Sequence, residues 1–79
     1  MKKQLKTDLY GVIGLGRFGT ALVQTLAEAG KEVIAIDKNE EKVKAVRRYT
    51  DYAFVVDNLS EDALKETGMQ NCGTVTVCI

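Results

Sequence analysis

The chain has 79 residues, of which 46% are hydrophobic and 28% charged, and its eleven basic and eleven acidic side chains cancel. A chain this short is one small domain or part of one. It buries only about 60–65% of its unfolded surface, so a ligand or partner adds materially to its stability. Zero net charge gives no general attraction to nucleic acid or to acidic membranes, and no nucleic-acid partner is expected.

The start, Lys2-Lys3-Gln4-Leu5-Lys6, is basic but short. It lacks the apolar core of a signal peptide, and no apolar run anywhere approaches the roughly 18 residues of a membrane span. Residues 1–8 therefore read as a flexible, solvated N-terminus, and residues 9–79 as one lobe. Leu9 to Ile13 is an apolar run with β-branched members, the pattern of a buried strand. Gly14, Gly16 and Gly19 follow with the spacing G-x-G-x-x-G. Helical spacing then begins, with Phe18, Ala21, Leu22, Thr25, Leu26 and Ala29 as its apolar stripe.

These glycines sit at a strand-to-helix turn, where a dinucleotide site needs them. Gly14 permits the tight turn, Gly16 lets backbone approach a pyrophosphate, and Gly19 lets the helix pack close to the strand. The helix start offers free N–H groups and a positive dipole end to an anion.

Gly30 suits a left-handed helix stop. Val33-Ile-Ala-Ile36 reads as a strand buried on both faces. It ends at Asp37, eighteen residues beyond Gly19, where such a unit places the carboxylate that holds the adenosine ribose. The alternative reading of Asp37 is a plain cap ahead of the next helix. As a ribose ligand it would repel a 2′-phosphate, which favours NAD(H) or an adenine nucleotide (ATP or ADP) over NADP. Asn39 caps a second helix, with Glu40 and Glu41 in its first turn and Val43, Val46 and marginally Tyr49 facing inward. Lys42, Lys44, Arg47 and Arg48 read as largely solvated.

Tyr52-Ala-Phe-Val-Val56 is a third apolar strand, ending at Asp57-Asn58. That pair stands where the adenine edge would be approached, or serves as a turn ahead of Ser60. Ser60 caps a short helix with Ala63, Leu64 and Thr67 turned inward, and Gly68 stops it. Thr74-Val-Thr-Val-Cys-Ile79 is a fourth strand, uncharged and β-rich. The sum is an α/β fold, βαβαβαβ, with a Rossmann-like parallel sheet in the order 3-2-1-4 and a ligand site at the switch between strands one and four. A doubly wound sheet continues past a fourth strand, so a fragment or the ordered part of a longer protein is expected.

Cys72 and Cys78 match no zinc or redox spacing, and the chain has no histidine. They read as reduced structural thiols. No serine or cysteine has a histidine to activate it, so no catalytic residue and no metal ligand is assigned.

Val12-Ile-Gly-Leu-Gly-Arg-Phe-Gly19 narrows the pattern further. With Val33–Val43 and Ala53–Leu64, it resembles the N-terminal lobe of the regulator-of-potassium-conductance family, the RCK or KTN/TrkA-N domains. The family usually carries a G-D-A-T-like segment where this chain reads Val56-Asp-Asn-Leu-Ser60. The resemblance implies a cytoplasmic nucleotide-binding subunit or domain that gates a potassium channel or transporter and sits at the inner face of the membrane through that partner. It also implies dimers of lobes that assemble further into rings.

The candidate cofactor-binding set is Gly14, Leu15, Gly16, Arg17, Phe18, Gly19, Asp37, Lys38, Asp57 and Asn58. Arg17 reads as a phosphate ligand, since a merely solvated arginine would sit poorly against the dipole. Phe18 enters by its place in G-R-F-G, while its spacing reads as core packing under the helix. Lys38 either reaches a phosphate or, as its position favours, stays in solvent. Two rival functions fit the same residues. One is the cofactor half of an NAD-dependent dehydrogenase, and the other is a nucleotide-free scaffold for assembly.

Overall fold

The computed structural model describes residues 6–78. Its elements in order are β1 (Lys6–Ile13), α1 (Arg17–Glu28), β2 (Glu32–Asp37), α2 (Glu40–Val46), β3 (Tyr52–Val55), α3 (Glu61–Thr67), a 3-10 turn (Met69–Asn71) and β4 (Cys72–Val77). Every strand pair is parallel and the sheet order is β3-β2-β1-β4, the Rossmann-like order expected. The expected solvated segment at residues 1–5 lies outside the described residues.

The central strands explain their unbroken apolar runs. Successive side chains point to opposite faces, and both faces are covered. Val12, Val33 and Ala35 join Val23 of α1 and Val43 and Val46 of α2 in one core. Leu9, Ile13, Ile34 and Ile36 join Met69 and Cys72 in the other. Gly11 sits between them in β1, where an added Cβ would fall on the Met69 sulfur. Burial pushes the Cys72 thiol pKa up, which keeps it protonated and inert.

The helix ends follow the local chemistry. Asn39 accepts from the amides of Glu41 and Lys42, and Ser60 accepts from that of Ala63. Gly30 and Gly68 take the left-handed conformation at φ 81° and 85° just past α1 and α3.

Four expectations are corrected. β1 begins at Lys6 rather than Leu9, and β4 at Cys72 rather than Thr74, because strand pairing extends beyond the apolar runs. The third strand is a four-residue edge element whose Tyr52 and Val55 remain exposed. α3 keeps the expected orientation, with Ala63, Leu64 and Thr67 half-buried and its other residues exposed. The stripe assigned to α1 is rotated. Gly19 and Val23 are buried, with Leu22 and Leu26 partly so, whereas Ala21, Thr25 and Ala29 are exposed and Phe18 is 68% exposed. The reason is Gly19, which lies so close to the Gly14 carbonyl that no Cβ would fit between them. With that face fixed inward, Phe18, about 100° around the helix, points out.

Candidate functional site

The glycine turn links the carboxyl end of β1 to α1. Gly14 turns the chain at φ 97°, and its N–H donates to the Ile36 carbonyl at 2.9 Å. The Leu15 side chain is buried, its N–H donates to Asp37 Oδ2 at 2.7 Å, and its carbonyl accepts the Thr20 hydroxyl at 3.0 Å. Gly16 is the N-cap of α1 in extended backbone at φ −73°, and a Cβ there would meet nothing within 4 Å.

α1 opens unlike the other two helices. Asn39 and Ser60 cap α2 and α3, and each has acidic residues in its first turn. α1 has no side-chain cap and no acidic residue in its first turn. Its amides at Gly16, Arg17, Phe18 and Gly19 find no acceptor among the described residues. Uncapped donors at the positive end of a twelve-residue helix make a place for an anion. The open space at Gly16 leaves room for a phosphate against the backbone, so these residues fit a nucleotide.

Asp37 lies beside that turn at the end of β2. Its Oδ1 accepts the Asn39 N–H at 2.8 Å while Oδ2 holds Leu15. Burial alone would raise its pKa. The amides of Leu15 and Asn39, the charge of Lys42 and the amide of Lys38 outweigh that and hold it below the usual carboxylate value. The carboxylate is therefore ionised at neutral pH. It keeps lone pairs on both oxygens for further donors such as ribose hydroxyls.

A cleft of about 540 Å³ joins these groups. Of the residues expected to bind a cofactor, it brings together Gly14, Leu15, Gly16, Asp37, Lys38 and Asp57. Arg17, Phe18, Gly19 and Asn58 are not in its lining. Gly19 is buried behind the turn, and Asn58 lines a separate groove between the end of β3 and α3. The assignment of Phe18 to the core is overturned by its exposure. Lys38 is exposed yet borders the cleft.

Sequence reasoning missed Ile13, Ile36, Lys42, Val56, Leu59 and Cys78, all of which line the cleft. Ile13, Ile36 and Val56 stand at the carboxyl ends of strands, a position that could have flagged them. Cys78 follows β4 with its N–H on the Ile13 carbonyl at 2.7 Å. Its sequence position makes Lys42 only a largely solvated helix residue, and nothing local marks its nearness to Asp37.

Comparison with known proteins gives concordant matches. The TrkA-N domain matches over residues 10–79. The chain is 40% identical over 76 residues to the Ktr system potassium uptake protein A of Bacillus subtilis (strain 168), covering 96% of this chain and 34% of that protein. It is 39% identical over 79 residues to the Ktr system potassium uptake protein C of the same organism, covering 100% of this chain and 34% of that protein. A glutathione-regulated potassium-efflux system protein of Haemophilus influenzae is 32% identical over 68 residues, which cover 86% of this chain and 11% of that protein. The chain thus spans about a third of the length of the two uptake proteins.

Proposed function

The chain belongs to the TrkA-N domain family, and from that premise we propose that it is the nucleotide-binding regulatory part of a potassium transport system. The observation that carries the reading is the uncapped start of α1, whose four amides find no acceptor among the described residues, opening beside the ionised Asp37. Phosphates would take the amides and the Arg17 guanidinium, and the ribose would take Asp37. The base would lie toward Asp57 and Asn58, with Lys38 in solvent at the cleft's rim.

The ligand is NAD(H) or an adenine nucleotide, ATP or ADP. Asp37 would repel a 2′-phosphate, although Lys38 and Lys42 border the same cleft and temper that repulsion. The role is regulatory, not catalytic. Uptake and efflux proteins of potassium systems are its relatives, and among the described residues no helix is long and apolar enough to cross a membrane. In this reading the potassium path belongs to a membrane-embedded channel or transporter, of which this chain is a regulatory subunit or domain on the cytoplasmic face, as a dimer or a ring of dimers. Nucleotides would control transport only by binding one arrangement of the paired domains more tightly than the other.

Two measurements test this. Calorimetry with ADP, ATP, NAD(H) and NADP(H) should show binding, weakest for NADP(H). Potassium flux through the membrane partner in vesicles should then change on adding the nucleotide that binds. Failure of every nucleotide to bind, or binding with unchanged flux, would overturn the reading.

A further inference from the structure

The peptide planes on both sides of Leu15 are held by side chains from elsewhere in the site. Asp37 Oδ2 accepts the Leu15 N–H at 2.7 Å, fixing the plane shared with Gly14. The Thr20 hydroxyl donates to the Leu15 carbonyl at 3.0 Å, fixing the plane shared with Gly16. A trans peptide is rigid, and its carbonyl and N–H point in opposite directions. Holding the Leu15 carbonyl therefore sets the direction of the Gly16 N–H, the first of the free donors at the start of α1.

We propose that Thr20 is a positioning residue for the phosphate end of the site. It acts through the Leu15–Gly16 peptide and touches no ligand itself. Thr20 lies one turn into α1, half-buried, and its own N–H is already used by the Gly16 carbonyl at 2.9 Å. Its hydroxyl thus closes a second link across the turn. Without that link the Leu15–Gly16 plane would sample other orientations, and a bound phosphate would have to order it again.

The inference rests on the nucleotide-binding reading, and its test separates the two. Thr20→Val keeps the shape and removes the hydroxyl, Thr20→Ser keeps the hydroxyl, and Thr20→Ala serves should the valine disturb the helix. ADP and adenosine affinities are measured by calorimetry on the full chain, with a thermal melt of each variant. Losing one neutral hydrogen bond predicts that Thr20→Val weakens ADP by roughly three- to tenfold. Adenosine should change by less than about twofold, and Thr20→Ser should behave as wild type. Amide exchange at Leu15, whose N–H is bonded within the same turn, should quicken in Thr20→Val and not in Thr20→Ser. Equal losses for ADP and adenosine, an unchanged ADP affinity, or a serine variant as weak as the valine one would overturn the proposal. A wild-type chain that binds neither ligand would instead overturn the nucleotide reading from which the proposal starts.

Discussion

The Leu15 amide and the Asp37 carboxylate are 22 residues apart in the chain and 2.7 Å apart in space. That bond, with the one from Asn39 at 2.8 Å, makes a single carboxylate the joint between the glycine turn and the start of α2. Its ionisation is therefore linked to stability. The folded-state pKa lies below the ordinary 3.8, so the ionised carboxylate stabilises the fold above that value. The contribution is lost as pH falls through the lower folded value. Asp37→Asn has one acceptor oxygen instead of two and does not titrate. Its melting temperature should fall below wild type at neutral pH by a margin that stays constant down to about pH 5. The margin should shrink below pH 3.8. A margin that persists undiminished into acid would show that the carboxylate charge is not what holds the turn.

The three glycines of the turn should separate by substitution. Gly16 has an ordinary φ of −73° and open space around it, so Gly16→Ala should melt close to wild type yet lose ADP affinity, because its methyl occupies the approach to the backbone. Gly19→Ala would drive a methyl into the Gly14 carbonyl and should cost about 1–3 kcal/mol of stability. Gly14→Ala, at φ 97°, should cost on the order of 1 kcal/mol through backbone strain alone. Thermal melts beside ADP titrations check all three. Normal ADP binding by Gly16→Ala would make the turn purely structural.

The pattern of those glycines shows what a sequence can and cannot carry. Asn39, Ser60, Gly30 and Gly68 are local signals, decided within a few residues; the first two start their helices and the last two stop theirs where expected. The runs Leu9–Ile13 and Val33–Ile36 declare a two-faced burial that the sheet order then provides. Hydropathy assigns the wrong face of α1 to the core because it weighs Phe18 heavily and Gly19 not at all. The close packing of Gly19, which its place in G-x-G-x-x-G predicts, leaves no apolar signature from which to set the helix face. The same limit hid the Asp37–Leu15 bond, the Thr20–Leu15 bond and the approach of Lys42 to the cleft. The chain position of Asp37 at the end of β2 is itself a signal, but its hold on the turn leaves none.

Arg17 is exposed at the first position of α1, outside the lining of the cleft. A long guanidinium at that place can reach a phosphate laid on the helix start. Removing such a charge-assisted contact costs about 1.5–3 kcal/mol. Arg17→Ala should therefore bring ATP and ADP affinities toward that of adenosine while leaving adenosine itself unchanged. Calorimetry that finds the same loss for all three ligands would place Arg17 in the packing of the turn.

Assembly gives the last prediction. Among the described residues β4 pairs only with β1, so in a protein made of these 79 residues alone its other edge offers unpaired backbone N–H and C=O groups. Cys72 to Val77 contains no charge and no proline, the usual devices that discourage edge pairing. Val75 and Val77 stand opposite Gly11 and Ile13 in the parallel register, and so share the face that carries Ile13 and Met69. They remain 42% and 62% exposed. An apolar strand face beside an open edge is a surface that association would bury. Light scattering at micromolar concentration should give at least twice the 8.7 kDa chain mass. Val77→Lys, which places a charge on that face, should lower the mass while leaving ADP binding intact, since Val77 is not in the lining of the cleft. A soluble, folded monomer throughout that range would refute the prediction. An oligomer indifferent to Val77→Lys would move the contact to another surface.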